Sequence, residues 1–130
     1  MDKGRLIIHV NILGCESVKS AEQTVNFVTF DGYADGGLFE GSITPAGTDV
    51  QLYNESSGQL SARYMLKGHD YTGAPCRIYI DNKAEAGQEK TYPTVITDSK
   101  ALAFLQEREL EGRLFEKNGG LIIEISTAEK

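Results

Sequence analysis

The chain has no tryptophan and only two cysteines, two histidines and three prolines among its 130 residues. Cys15 and Cys76 are too few for the disulfide framework of a small secreted domain. Basic residues are also scarce, 13 against 19 acidic ones, which leaves a formal net charge of −6. Because nucleic acids and anionic membranes attract basic surfaces, this balance predicts no nucleic acid and no membrane as partner.

Long apolar runs are missing as well. The apolar stretch Leu6–Ile8 is followed at once by His9, and it is too short for a signal peptide or a membrane span. We therefore expect a cytoplasmic protein. The hydrophobic fraction of 40% and the charged fraction of 25% are typical of a globular chain, and the length predicts one domain that spans residues 1–130.

Alternation of apolar and polar residues with a period of two dominates the sequence. Leu6, Ile8, Val10 and Ile12, for example, share one face. The predicted strands cover residues 5–12, 25–33, 38–43, 49–53, 59–67, 76–82, 92–97, 109–117 and 121–127. The 14 glycines fall largely in the turns between them.

One segment breaks this period. Residues 100–106 are rich in helix formers, and Asp98 or Ser99 can cap them, so we expect one short helix near residues 99–106. A near-continuous series of hairpins can close on itself and remove its edges. The sequence therefore predicts an all-β fold, a single small antiparallel β-barrel of about nine strands.

Two motifs stand out within this pattern. Pro45, Gly47, Asp49 and Gln51 form a Pro-x-Gly-x-Asp-x-Gln stretch, and an Ala-Arg-Tyr tripeptide ends at Tyr64. With the strand residues that follow, they resemble the bacterial domain of unknown function 3237 family over about residues 26–125. The resemblance implies a small barrel similar to lipocalin-like or allene-oxide-cyclase-like barrels. It implies no activity, because that family has no established one, and it leaves open whether the protein is an enzyme.

Several motifs of metal and cofactor sites are incomplete. Asp31 and Asp35 resemble the start of a calcium-binding loop, but tyrosine and serine occupy its third and twelfth positions. The glycines match neither a dinucleotide fingerprint nor a phosphate-binding loop. His9 and His69 have no partner at metal-ligand spacing. We therefore predict no metal and no cofactor.

Five polar residues form the best candidate site: Asp49, Gln51, Arg63, Tyr64 and Asn82. Their carboxylate, amide and guanidinium groups can bind a polar ligand through charge-assisted hydrogen bonds. Asp49 can also act as a general base, with Tyr64 or Arg63 stabilising an enolate-like anion. The structural alternative is an ion pair between Asp49 and Arg63 that bridges two strands, with the amides holding loop backbone.

The face of the sheet on which these residues lie bears on the choice between a ligand site and a structural role. Strict alternation places Asp49, Gln51 and Arg63 opposite an aliphatic face, which is formed by Val50, Leu52, Leu60, Ala62 and Leu66. If the aliphatic face fills the lumen, the polar residues lie outside and are structural. If the polar face lines the lumen, the exposed aliphatic stripe needs a partner chain, which predicts a homo-oligomer. A bulge at residues 45–47 can mix the two arrangements.

Three functions are compatible with these observations. The favoured one is a small-molecule-binding barrel whose lumen holds one ligand. The first alternative is a cofactor-independent isomerase, cyclase or lyase that uses acid–base chemistry, with Asp49, Arg63 and Tyr64 as catalytic candidates. The second alternative is a non-catalytic assembly module, which requires a lumen filled by side chains.

Overall fold

The computed structural model of the chain describes residues 4–117 and 119–127. In these residues nine strands and one four-residue helix follow one another, and every pair of neighbouring strands in the sheet is antiparallel. The elements are β1 (Leu6–Lys19), β2 (Thr24–Asp35), β3 (Phe39–Ile43), β4 (Gly47–Tyr53), β5 (Gly58–Asp70), β6 (Pro75–Glu85), β7 (Lys90–Thr97), α1 (Phe104–Glu107), β8 (Leu110–Lys117) and β9 (Gly120–Thr127). The predicted all-β barrel with about nine strands is confirmed.

The sheet closes because β1 pairs with β2 along one side and with β9 along the other. From β9 the order continues through β8, β7 and β6 to β5. Both β3 and β4 then pair with β5 on one side and with β2 on the other. These two strands therefore lie end to end, and nine strands occupy eight positions round the barrel.

A bulge separates β3 from β4 at residues 44–46, which include a cis Thr44–Pro45 peptide bond. Ile43 lies opposite Leu66, and Thr48 lies opposite Arg63, so five steps along this strand match three steps along β5. The two extra residues shift the register, as the sequence predicts for residues 45–47. Because two is an even number, the side chains keep their facing, whereas a shift of one residue would reverse it.

The two ends of the barrel differ. The hairpins β1–β2, β4–β5, β6–β7 and β8–β9 lie at one end, which we call the mouth end. The opposite end, the core end, is filled by fully buried side chains, which include Leu6, Ile8, Phe39, Leu66 and Ile125. The connection between β7 and β8 adds Leu102 and Leu105 to this core. Open space in the lumen therefore lies at the mouth end.

The helix is shorter than predicted. It covers Phe104–Glu107, whereas the sequence favours a helix near residues 99–106. Ser99 makes the expected cap-like contact, because its Oγ accepts the N–H of Leu102 at 3.1 Å. The N–H of Leu105 then bonds to the carbonyl of Leu102, three residues back. This tighter spacing keeps both leucines on the side that faces the core, and their burial outweighs the preference for a longer α-helix.

The β1–β2 hairpin projects beyond the barrel at the mouth end. β9 pairs only with residues 6–10 of β1, so β2 is the one strand that residues 11–19 lie beside, and all of them are exposed. A bulge between Ile12 and Gly14 interrupts the alternation in this part of the strand. This is why β1 is longer than the predicted strand at residues 5–12.

Candidate ligand site in the barrel lumen

Asp49 and Asn82 face the lumen on either side of Ala62. Asp49 lies opposite Ala62 of β5, and Ala62 lies opposite Asn82 of β6. Residues that lie directly opposite each other on neighbouring strands point to the same face of a sheet. Two strand spacings, roughly 10 Å, separate the Asp49 and Asn82 backbones. Only the methyl group of Ala62 stands between their side chains.

These three residues line a cavity of about 160 Å³ at the mouth end of the lumen. The apolar part of its wall includes Val28, Phe30, Leu60, Leu114 and Ile123. The polar side chains in the wall are those of Asp49, Gln51, Asn82 and Thr91. An apolar cavity of about 150 Å³ is large enough for a molecule the size of benzene. The space therefore suits a ligand about as large as one six-membered ring.

A chain of hydrogen bonds runs from the projecting hairpin to Asp49. Ser17 Oγ donates to Asn26 Oδ1 at 2.7 Å, and Asn26 Nδ2 donates to Gln51 Oε1 at 3.2 Å. Gln51 Nε2 in turn donates to Asp49 Oδ2 at 3.1 Å. Every donor in this chain points towards Asp49. The chain therefore fixes one oxygen of the carboxyl group and leaves the other, Oδ1, for a different partner.

Three polar atoms of the cavity wall are buried and have no hydrogen-bond partner among the described residues: Asp49 Oδ1, Asn82 Oδ1 and Thr91 Oγ1. Asn82 is 5% exposed and Thr91 is 2% exposed. Leaving such an atom without a partner costs roughly 1–3 kcal/mol, so buried polar groups in native proteins are nearly always satisfied. Three of them at one cavity make this cavity the candidate site.

The environment of Asp49 changes its acidity. Burial raises the pKa of this carboxyl group above its ordinary value of 3.8, and the hydrogen bond from Gln51 offsets only part of the increase. None of the described residues that line the cavity is a lysine, an arginine or a histidine. Because no cation there stabilises the carboxylate, desolvation dominates. A carboxyl group in such a cavity is suited to hold or exchange a proton.

Tyr64 lies below the cavity, between it and the core end. It is 3% exposed, and its ring contacts Phe30 edge to face, with the ring centroids 5.4 Å apart. Gly47 lies opposite Phe30 and beside Tyr64, so its missing side chain lets the two rings meet. Burial raises the pKa of the Tyr64 hydroxyl above 10.0, and this hydroxyl also has no partner within the described residues. It therefore stays a neutral phenol that can donate a hydrogen bond.

Arg63 lies on the outside of the barrel. It lies opposite Thr48 and Asp81, its side chain is 62% exposed, and its Nε is 3.7 Å from Asp81 Oδ2. The prediction that Asp49 and Arg63 share a face is therefore wrong, and the alternative of an ion pair between them is wrong too. An exposed ion pair such as the one with Asp81 contributes only about 0–1 kcal/mol.

Of the five predicted site residues, the structure brings Asp49, Gln51 and Asn82 together at the cavity. Tyr64 is buried directly below them, and Arg63 has no access to the lumen. The lumen thus has a few polar side chains among apolar ones at the mouth end, and it is apolar at the core end. Neither of the two arrangements considered from the sequence describes it as a whole.

Two residues of the site, Thr91 and Asn26, were not predicted from the sequence. Thr91 lies just before the predicted strand at residues 92–97, but β7 begins at Lys90 and includes it. Continuing the alternation of Val95 and Pro93 back by two residues places Thr91 on the inner face, so the sequence did contain this signal. Asn26 lies at the predicted start of its strand, and nothing in the pattern shows that its amide contacts Gln51.

Within residues 4–117 and 119–127, no group of three or more histidine, cysteine, aspartate or glutamate side chains is arranged to hold a metal ion. In the same residues, no helix is long and apolar enough to span a membrane. His9 is half-buried on the outer surface, where it stacks on Tyr33 with ring centroids 4.4 Å apart and lies 3.2 Å from Asp35 Oδ1.

An apolar strip lies on the outside of the barrel at the mouth end. Phe27 lies opposite Val50, and Val25 lies opposite both Leu52 and Val18. These five residues are neighbours on three adjacent strands, and all except the half-buried Val25 are exposed. An exposed aliphatic strip is the feature for which the sequence predicts a homo-oligomer. Self-association through this strip stays a prediction.

No family model and no curated protein sequence matches the chain. Membership of the domain of unknown function 3237 family therefore stays a prediction.

Solved structures share the fold. A protein of unknown function from Clostridium acetobutylicum has a TM-score of 0.77 and 17% identity, over 95% of this chain and 93% of that one. A β-barrel-like protein from Acinetobacter baumannii has a TM-score of 0.77 and 16% identity, over 97% and 94%. A structure described as an enzyme from Penicillium herquei has a TM-score of 0.72 and 15% identity, over 95% and 92%. At these identities the likeness shows the barrel fold alone.

Proposed function

We propose that this protein binds a small molecule in the cavity at the mouth end of its barrel. The observation that supports this most is the set of buried, unpartnered atoms Asp49 Oδ1, Asn82 Oδ1 and Thr91 Oγ1 on the wall of a largely apolar cavity. Ligand sites typically combine apolar walls with a few polar groups that fix orientation. A purely structural barrel would instead have this space filled by side chains.

Ala62→Leu tests this proposal, because it places a larger side chain between Asp49 and Asn82. We expect benzyl alcohol, used as a ring-sized probe, to bind the wild-type protein. The leucine should weaken that binding roughly tenfold or more, since it occupies space the ring needs and adds an overpacking penalty. Isothermal titration calorimetry gives the affinities, and amide chemical-shift changes show which residues the probe contacts.

Arg63→Ala is the matched control, because residue 63 is on the same strand but faces outwards. It should leave the affinity for benzyl alcohol unchanged. A probe that binds wild type and Ala62→Leu equally well would place its site outside the lumen and contradict the proposal. Binding by neither protein would contradict it as well. Circular dichroism checks that both variants are folded.

Acid–base catalysis is a second candidate function, and the environment of Asp49 favours it. Burial raises the pKa of its carboxyl group in a cavity that could also hold a substrate, and one protein with the same fold is described as an enzyme. In such a reaction the carboxylate removes a proton from a carbon next to a carbonyl. The hydroxyl of Thr91 then donates a hydrogen bond to the enolate oxygen. Arg63 takes no part, because it faces outwards.

Exchange of hydrogen for deuterium tests this second function. In D₂O the wild-type protein should replace the hydrogens next to the carbonyl of cyclohexanone. Asp49 takes up a proton from the carbon, the carboxylic acid exchanges it for a deuteron from D₂O, and the deuteron is returned to the same carbon. Asp49→Asn should slow the protein-dependent rate roughly 100-fold, the usual contribution of a general base. Proton NMR follows the loss of signal. Equal rates for the two proteins would exclude Asp49 as the base.

A further inference from the structure

The charge in the cavity is negative. Asp49 is the sole ionisable side chain among the described residues that line it. An anionic ligand would meet a like charge there and would lose its hydration without gaining a cationic partner. The site therefore disfavours carboxylates, phosphates and sulfates.

The unpartnered atoms can all accept hydrogen bonds. Asp49 Oδ1 and Asn82 Oδ1 are acceptors, and the hydroxyl oxygen of Thr91 accepts as well as donates. Since Gln51 already occupies the other oxygen of Asp49, a ligand has to bring its own N–H or O–H donors. Asp49 and Asn82, which flank Ala62, match a primary ammonium group, which donates several hydrogen bonds and accepts none.

The strand register places two of these acceptors on either side of one point and the third farther along the barrel wall. Asp49 and Asn82 stand on the strands either side of Ala62. Pro93 lies opposite Asn82, and Thr91, two residues before Pro93, points to the same face one row nearer the mouth. Thr91 is two strands from Ala62, and its Oγ1 lies against Gly112 of β8. A group placed over the methyl of Ala62 therefore has acceptors on two sides, those of Asp49 and Asn82.

We propose that the ligand is a small primary amine, bound as its ammonium ion, with an apolar body about the size of one ring. This rests on the proposed binding function. The ammonium group donates to Asp49 and Asn82, and the body packs against apolar wall residues such as Phe30 and Leu60. The net charge of −6 also favours the approach of a cation over that of an anion.

Three compounds with the same ring test the proposal: benzylamine, benzyl alcohol and benzoate. Calorimetry at pH 7 and low salt should show benzylamine binding roughly tenfold or more tightly than benzyl alcohol, since hydrogen bonds to a charged group are the stronger ones. Benzoate should not bind measurably. Asp49→Asn should remove most of the preference for the amine, measured as the ratio of the benzylamine affinity to the benzyl alcohol affinity. Asp81→Asn, whose side chain pairs with Arg63 outside the barrel, is the matched control and should change neither.

The outcomes separate this proposal from the one it rests on. Benzoate binding as tightly as benzylamine would overturn the assignment of an amine, as would Asp49→Asn binding benzylamine as tightly as wild type. In either case a benzyl alcohol affinity that still depends on residue 62 would preserve the binding function. If none of the three compounds binds the wild-type protein, the amine and the binding function are both rejected.

Discussion

Replacing Gly47 by alanine is expected to destabilise the barrel by roughly 1–3 kcal/mol, the usual range for adding a group to a packed interior. A Cβ at this position would lie 2.7 Å from Tyr64 Cβ and 2.8 Å from the ring of Phe30. Carbon atoms in contact are normally about 3.5–4.0 Å apart. The alanine would also push the two rings apart, and such an edge-to-face pair contributes about 0.5–1.5 kcal/mol beyond its burial. Urea unfolding followed by circular dichroism measures the loss.

Gly14→Ala is the control for this prediction. The nearest atom that its Cβ would meet outside the adjacent residues is Thr29 Oγ1, at an ordinary contact distance of 3.7 Å. The change is therefore expected to stay within about 0.5 kcal/mol. Equal stability of the two variants would show that the side chains around Gly47 can move to accommodate a methyl group. The contact between Phe30 and Tyr64 would then not depend on a glycine.

The positions of most strands could be predicted because a closed barrel imposes alternation on its paired segments. β4 and β7 were found to within two residues for this reason. The projecting half of β1 was not predicted, because residues 11–19 are exposed on both faces and a bulge follows Ile12. Where neither face of a strand is buried, its apolar and polar residues need not alternate, so the sequence does not show the strand.

The facing of Asp49 relative to Arg63 could not be predicted from alternation alone, because the length of one loop decides it. A five-residue loop at residues 54–58 would pair Tyr53 with Gln59 and, further along, Asp49 with Arg63. The structure has a four-residue loop, closed by Asn54, whose N–H donates to the carbonyl of Ser57. Gly58 then pairs with Tyr53, and Asp49 pairs with Ala62. One residue fewer in the loop separates the carboxylate from the guanidinium by the thickness of the sheet.

The cavity itself was beyond prediction for a different reason. It exists because small side chains, among them Ala62 and Ala84, face the lumen beside longer polar ones. An alternating pattern shows which residues face inwards, but the volume they leave depends on how eight strand positions close. The polar residues of the site could therefore be named in part, while the space between them required the structure.

Asp49→Asn and Asp70→Asn are expected to change the pH dependence of stability in opposite directions. Burial raises the pKa of Asp49 above 3.8. Between 3.8 and the raised pKa, the folded protein holds a proton that the unfolded chain has released. The contribution of this group is therefore greatest below pH 3.8 and is lost as the pH rises through the folded-state pKa. Asparagine is neutral throughout, so Asp49→Asn should lack this loss and be the more stable protein at pH 7.

The carboxyl group of Asp70, at the end of β5, has the opposite effect on the pH dependence of stability. Hydrogen bonds from Thr72 and Ser99 lower the pKa of its carboxyl group to about 2. Between about 2 and 3.8 the unfolded chain takes up a proton that the folded protein does not. The stability that ionised Asp70 provides is therefore complete above pH 3.8 and is lost as the pH falls towards 2. Asp70→Asn should be less stable than wild type at pH 7, because a neutral amide accepts these bonds more weakly.

Urea unfolding of the three proteins between pH 2 and 7 measures both effects, and each variant is the control for the other. The advantage of Asp49→Asn over wild type should grow as the pH rises above 3.8, while the deficit of Asp70→Asn should shrink as the pH falls below it. If the free energy of unfolding of Asp49→Asn instead changes with pH in parallel with that of wild type, the carboxyl group of Asp49 is as well hydrated in the folded protein as in the unfolded chain. The desolvated cavity would then have no role in proton exchange, and acid–base catalysis would lose its basis. A growing advantage, in contrast, would show that the barrel retains a carboxylate at position 49 against its own stability, which is expected of a group kept for a ligand rather than for the fold.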